Sequence, residues 1–395
     1  MVTSFSQFAI RTTITAGVGC CTLVPETFRG LGGKRVVLFT DKGIVNAGIA
    51  ERIQKIFELL PGRVELAGTY SDIQQDAKGE NINRAAKFFS DCNADSILAL
   101  GGGSVLDTAK AVKWMRHKGL IDIRPSLLSG NILEIWPEVQ HMGIPHVAIP
   151  TTAGTGSEIS PAAILYNDLT GVKTNIASPF INADFAFLDP ELTVGLPAQI
   201  TAFTGFDALS HAVEAYFSSK SNPMSDALAL QSIKLIAENL EIAVNDGNDL
   251  EARMKMLMAS SLGISALAVT LGGAMPIHNF AHVFGAQYHI PHGLAIATIM
   301  PYFMESMPAV YLQKIHGFAD AFGIKDLPKD NQECLIKTVE YLKTLRNDIG
   351  LPSDFSVYNI SEESKKNIAK LIQTDPLSLF LIIPTEIIEN VIKNI

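Results

Sequence analysis

Asp207 and His211 stand four residues apart in Gly205-Phe-Asp-Ala-Leu-Ser-His-Ala-Val-Glu-Ala215. That spacing puts both side chains on one face of a helix. His278 and His282 repeat the spacing, and His292 follows between Pro291 and Gly293, at a turn into a further helix. With His289, five of the nine histidines fall between 211 and 292. One carboxylate with two or three imidazoles is a donor set for a divalent metal. The surrounding sequence is largely apolar, where polar groups are costly unless bonded or metal-bound. A histidine on an apolar face can also be an ordinary hydrogen-bonded core residue. His117, His141, His146 and His316, which lack comparable neighbours, are read that way, and His289 and Glu214 are read as bystanders of the metal set.

A second kind of chemistry is carried by small residues. Gly101-Gly-Gly-Ser-Val-Leu-Asp107 lies between a strand and a helix, where unhindered amides at a helix N-terminus can approach a diphosphate. The spacing is not GxGxxG, and a glycine triplet can also be a plain tight turn. Pro150-Thr-Thr-Ala-Gly-Thr-Gly-Ser-Glu158 follows another strand with three threonine and one serine hydroxyls. It can line a cofactor or satisfy its own turn; two such loops at neighbouring strand ends favour a shared ligand. Asp41 closes an earlier strand, where a carboxylate can accept from a ribose diol and would repel a 2′-phosphate, favouring NAD over NADP. Its other reading is turn chemistry in Asp41-Lys-Gly43.

The elements that must hold these residues follow from the apolar pattern. Arg35-Val-Val-Leu-Phe-Thr40, Ser96-Ile-Leu-Ala-Leu100 and His146-Val-Ala-Ile149 read as strands, and Ala50 to Leu60 and Val105 to Met115 as helices. This alternation predicts βαβ units and a parallel sheet. After Asp189-Pro190 and Leu196-Pro197 long helical periods take over, so two domains are expected, 1–189 and 190–395. Residues 119–145, with Pro125, Gly130, Pro137, Gly143 and Pro145, read as an extended connection. The uncharged run Met256 to Ile277 is long enough to span a bilayer, but its serines and glycines and the His-rich segment after it mark a buried core helix.

Composition narrows the partners. There are 395 residues with a net charge of −9, which makes nucleic acid an unsuitable ligand. The apolar share of 47% suffices for sizeable cores, which excludes a disordered or fibrous chain. Only 18% of residues are charged, and mean hydropathy is +0.23, consistent with surface buried between subunits. The first eight residues lack a basic start, an apolar stretch and a cleavage site, so no secretory signal is expected. The four cysteines, Cys20, Cys21, Cys92 and Cys334, show no metal or redox spacing, and a reducing cytoplasm is the expected compartment.

Taken together, Gly101-Gly-Gly-Ser-Val-Leu-Asp-Thr-Ala-Lys110, Pro150 to Glu158, Gly205 to Tyr216, His278-Asn-Phe-Ala-His282 and Pro291-His-Gly293 occur in an order that resembles the iron-containing alcohol dehydrogenase family. The resemblance covers nearly the whole chain. It implies a Rossmann-like parallel-sheet N-terminal domain, an all-α C-terminal domain, the architecture shared with dehydroquinate synthase, and an active site in the cleft between them. Carried over motif by motif, Asp207, His211, His278 and His292 look like metal ligands, leaving His282 as a proton-relay residue. Gly101, Gly102, Gly103, Ser104, Asp107, Thr151, Thr152 and Thr155 look like cofactor contacts, and Asp41 and Lys173 like contacts around the adenosine ribose. The chain departs from the family at Ser71-Asp-Ile-Gln-Gln-Asp-Ala77, which lacks the usual proline, and at Thr374-Asp-Pro-Leu-Ser-Leu-Phe380, which lacks an Asn-Pro-Arg stretch.

The implied activity is hydride transfer between NAD and a small primary alcohol or diol and its aldehyde. The metal would be Fe2+, with Zn2+ tolerated by the same donors. The assembly would be a dimer or larger homo-oligomer, with no nucleic-acid or membrane partner. A glycerol-type polyol dehydrogenase is an alternative, disfavoured by the presence of His211. A dehydroquinate-synthase-like lyase would need a basic phosphate pocket, and no Lys/Arg cluster surrounds the histidine motifs. A non-catalytic scaffold would be expected to have lost a ligand.

Overall fold

The computed structural model describes residues 8–59, 64–270, 273, 275–375 and 381–395. Residues 1–7, the end of the expected Ala50–Leu60 helix, and 376–380 of the atypical C-terminal stretch lie outside them. The chain divides into two compact units, Ile10–Leu196 and, from Pro197 on, the rest of the chain.

The first unit runs β1 (Thr13–Ala16), α1 (Val24–Gly30), β2 (Arg35–Phe39), α2 (Lys42–Asn46), α3 (Ile49–Glu58), β3 (Glu65–Tyr70), α4 (Gly79–Asp91), β4 (Ser96–Gly101), α5 (Gly103–Lys118), β5 (Ile132–Leu133), β6 (His146–Pro150), β7 (Ala162–Asn167), β8 (Val172–Ala177) and β9 (Phe185–Leu188). Six strands form one sheet in the order β1-β9-β6-β4-β2-β3, and every pairing is parallel. Its central strands are apolar on both faces, as a sheet covered twice requires. Val37 and Phe39 enter one core with Ile97 and Ala99, while Val36 and Leu38 enter the other with Leu98 and Leu100. Each fully buried aliphatic side chain contributes about 1.5–3 kcal/mol.

The three expected strands are β2, β4 and β6. The 119–145 connection is not wholly irregular: it carries β5, which pairs with β8 of the β7–β8 hairpin in a separate three-stranded sheet. Asp168-Leu-Thr-Gly171 makes the hairpin turn, with Gly171 at φ 71°.

The described part of the second unit contains helices and no strand: α6 (Ala198–Tyr216), α7 (Pro223–Asn245), α8 (Leu250–Val269), α9 (Pro276–Tyr288), α10 (His292–Ser306), α11 (Ile315–Ala321), α12 (Asn331–Asp348), α13 (Glu362–Thr374) and α14 (Thr385–Asn394). The expected single core helix from Met256 to Ile277 is two helices, α8 ending at Val269 and α9 starting at Pro276. Pro276 lacks the amide that would continue a helix and suits a first turn. Helix α8 is long and apolar enough to cross a membrane, but 72% of its apolar window is buried inside the protein.

Candidate functional site

Strands β4 and β6 are paired in register, with Gly101 opposite Pro150, so the loops that follow them meet. Thr151 N donates to Gly101 O at 3.1 Å. Gly103 opens α5 so close to Thr155 that an added Cβ would lie 2.7 Å from Thr155 Cγ2. Small residues here therefore serve close packing of the two loops as well as access to the backbone. The first amides of α5 have no intrahelical acceptor, and the dipole there favours an anion.

In front of this helix start lies a cavity of about 390 Å³, lined by Asp41, Lys42, Gly43, Ile73, Gln74, Gln75, Gly102, Gly103, Ser104 and Val105. Of the residues expected to touch the cofactor, Asp41, Gly102, Gly103 and Ser104 border it. Asp41 also serves its turn: its Oδ1 accepts from Ile44 N at 3.0 Å and caps α2. Ser104 Oγ accepts from Asp76 N at 3.1 Å, and Asp76 pairs with Lys173 at 2.8 Å.

Asp107 is placed otherwise. Its carboxylate accepts from Ser157 Oγ and from Ile164 N at 3.1 Å, and pairs with the buried Lys110 at 3.0 Å. It braces the second loop and β7 and does not border the cavity; neither do Gly101, Thr151, Thr152, Thr155 and Lys173. Burial pushes the Lys110 pKa down against the pull of Asp107 and Glu158.

In the helical unit, α6 presents Asp207, His211 and Glu214 on one face, and all three are buried. Helix α9 brings His278 against them, and α10 begins at His292. Gly293 permits this: a Cβ there would land on the Phe203 carbonyl of α6. Three ring nitrogens converge on one carboxylate oxygen. Asp207 Oδ1 lies 3.8 Å from His211 Nε2, 3.7 Å from His278 Nε2 and 3.7 Å from His292 Nε2. His211 Nε2 and His278 Nε2 are 3.1 Å apart.

These separations fit a metal ion. Ligands ~2.1 Å from a tetrahedral centre stand ~3.4 Å from one another, close to the 3.1–3.8 Å among Asp207, His211 and His278, which form one compact group; His292 Nε2 stands 3.7 Å from Asp207 Oδ1 but outside that group. Asp207 Oδ1 is buried and makes no hydrogen bond, a cost that a coordinated cation removes. Electrostatics point the same way. Burial raises the Asp207 pKa, but the charges of His211, His278 and His292 hold it below the usual carboxylate range. Burial lowers that of His278, yet Glu214 and Asp207 lift it to about 10, so the pocket favours positive charge.

Glu214 is no bystander. Its Oε2 binds His278 Nδ1, and its Oε1 accepts from Ile277 N at 2.7 Å and His278 N at 3.4 Å. It caps the start of α9 and fixes the ring so that Nε2 faces the other donors, the usual work of a partner behind a metal-binding histidine. The available signal was its place seven residues after Asp207, on the same helical face. His282 stands apart from the converging atoms. Its ring centroid is 6.5 Å from that of His278 and 5.7 Å from that of His292, and its Nδ1 is 3.7 Å from Asp375 Oδ2. His289 ends α9 in a left-handed conformation.

A parallel sheet with a glycine-rich helix start, joined in sequence to a helical unit with an Asp-His-His-His cluster, defines a metal-dependent nucleotide-cofactor enzyme. Comparison with known proteins makes this specific. Residues 11–190 match the family described as iron-containing alcohol dehydrogenase, and residues 201–384 match the C-terminal part of the same family. Long-chain-alcohol dehydrogenase 1 of Geobacillus thermodenitrificans is 33% identical over 88% of this chain and 85% of its own length. The 1,3-propanediol dehydrogenase of Klebsiella pneumoniae is 32% identical over 91% of this chain and 90% of its own. The crystal structure of sulfoacetaldehyde reductase from Bifidobacterium kashiwanohense in complex with NAD+ superposes with a TM-score of 0.83 at 25% identity, covering 99% of this chain and 98% of that one. The chain belongs to the iron-containing alcohol dehydrogenase family. It is an alcohol oxidoreductase of a family that uses NAD and iron.

Proposed function

We propose that the protein interconverts a small primary alcohol or diol and its aldehyde, using NAD in preference to NADP and Fe2+ in preference to Zn2+. The observation that carries this reading is the convergence of three ring nitrogens on Asp207 Oδ1. Asp207, His211, His278 and His292 are the ligands. A divalent ion held there supplies Lewis-acid polarisation of the substrate oxygen, which eases loss of the alcohol proton near neutral pH. The relatives named for long-chain alcohols and 1,3-propanediol support an alcohol substrate without fixing its length.

Bound NAD+ would supply the hydride acceptor for the carbinol carbon, which leaves the hydroxyl proton for this chain's own residues to move. Glu214 keeps the proton of His278 on Nδ1, so Nε2 offers its lone pair. His282, its Nδ1 turned toward Asp375, takes the hydroxyl proton at Nε2 and passes it to solvent. The amides of Gly102, Gly103 and Ser104 would hold the cofactor diphosphate, and Asp41 would accept from the adenosine ribose. Thr151, Thr152 and Thr155 keep the second loop against the first, Asp107 braces it, and Lys173 holds Asp76 beside Ser104.

The same reading places the chain in the cytoplasm as a homo-oligomer. Its four cysteines are free, which suits a reducing compartment. Ile121, Leu128, Leu133, Ile135 and Trp136 expose apolar surface along one segment, as subunit contacts do.

The test is a panel of alcohols and aldehydes assayed by NADH change, with protein stripped of metal and reloaded with iron(II) or zinc. Turnover should need metal, favour iron(II) and run faster with NAD than with NADP. In Asp41→Asn the NADP penalty should shrink. Tight NADH binding without turnover of any alcohol or aldehyde would refute the dehydrogenase reading.

A further inference from the structure

Strands β1 and β9 are parallel neighbours, with Ala16 opposite Leu188 at their last pair. The chain leaving β1 turns through Gly17 and Gly19 into a short 3₁₀ helix, Cys20–Leu23, and the chain leaving β9 passes directly into Asp189. The two exits meet. The Sγ atoms of Cys20 and Cys21 and a carboxylate oxygen of Asp189 lie within 4.8 Å of one another. Asp189 is 1% exposed, and its Oδ1 accepts from Glu191 N at 3.2 Å, but its buried Oδ2 has no hydrogen-bond partner. A buried carboxylate oxygen that no N–H or O–H donor reaches, with two thiols beside it, is a site that a cation can complete. None of the three residues has a part in the alcohol chemistry.

We propose that Cys20, Cys21 and Asp189 form a second metal site, for a thiophilic divalent cation of the zinc or cadmium type. Two thiolates and one carboxylate are a soft set, in contrast to the Asp-His-His-His cluster, and discriminate against magnesium and calcium. Cys21 and Asp189 are buried while Cys20 is half-buried, so the ion enters from the Cys20 side and keeps solvent as its fourth ligand. Cys20 donates its S–H to Thr15 O at 3.7 Å. Binding replaces that S–H and the Cys21 S–H with two sulfur–metal bonds and adds one oxygen–metal bond, while two protons pass to the buffer; nothing is oxidised or reduced. The ion would clip the exit of edge strand β1 to the end of β9.

The experiment is a cadmium titration of the reduced, iron-loaded full chain, followed by ultraviolet absorbance and thermal unfolding. A thiolate-to-cadmium charge-transfer band should saturate at one equivalent per chain, with a rise in Tm. Nitrogen and oxygen ligands give no such band, so the iron centre does not contribute to it. Cys20→Ser and Cys21→Ala should each lose the saturating band and the Tm rise, and Cys20→Ser, the milder change at a half-buried position, should keep normal dehydrogenase turnover. Asp189→Asn should keep a band but need more cadmium to reach it. Absence of a band in the parent, or a band undiminished in Cys20→Ser and therefore owed to Cys92 or Cys334, would overturn the proposal.

Discussion

At the glycine loop the ligand-facing atoms belong to the backbone, whereas at the metal cluster they belong to side chains. The loop depends on what is missing: Gly103 can lie against Thr155 because it has no Cβ. The cluster depends on what is present: donors from α6, α9 and α10 whose ring nitrogens all stand 3.7–3.8 Å from one Asp207 oxygen. A site of the first kind is lost gradually, by crowding. One of the second kind is lost at once, because removing a donor leaves the others buried and unpaired.

This contrast can be broken most directly at His278. His278→Ala should lower kcat/KM by more than about 100-fold, beyond the usual cost of a mere supporting residue, and should strip iron from the protein while leaving NADH affinity unchanged. Iron content by metal analysis and NADH binding by fluorescence separate the two. Glu214→Gln, which keeps the shape but weakens the grip on His278 Nδ1, should cost 10- to 100-fold in metal affinity. Excess iron(II) should restore much of its activity, a rescue that His278→Ala should not show. At the loop, Gly103→Ala forces Thr155 to move. Strain of ~1–2 kcal/mol should raise the NADH Kd roughly tenfold, with iron content unchanged.

The smallest expected effect concerns stability of the α/β unit. His146 opens β6 fully buried, and neither ring nitrogen has a hydrogen-bond partner. Burial first, then the charges of Lys113 and Lys110, push its pKa well below 6.5. The folded state therefore keeps the ring neutral where the unfolded chain would protonate it. Stability is complete above the unfolded value and falls as pH drops below about 6.5, by at most ~1.4 kcal/mol per pH unit. In His146→Leu the urea midpoint should shift less between about pH 7 and about pH 5 than in the parent. An equal shift in both proteins would assign the acid sensitivity to other groups.

Legibility in the sequence followed the same division. Strands β2, β4 and β6 were readable because they are central and apolar on both faces, while β1, exposed at the sheet edge, and β3, interrupted by Gly68, carry weak patterns. The β7–β8 hairpin alternates buried with half-buried residues along β7 and was hidden by its unremarkable composition. Asp207 and His211 announced themselves by helical spacing. Glu214 did not, because its partner His278 lies 64 residues away and no local pattern shows that α9 starts over α6. The bracing role of Asp107 was hidden likewise: Ser157 and Ile164 reach it only after β6 and β7 fold.

The most direct test of the central claim is anomalous diffraction at the iron edge from crystals of the protein grown anaerobically with iron(II). One strong peak is expected in the helical unit, about 2.0–2.3 Å from a carboxylate oxygen of Asp207 and from Nε2 of His211, His278 and His292. A peak that omits His292 or takes in His282, or iron bound elsewhere in the chain, would contradict it.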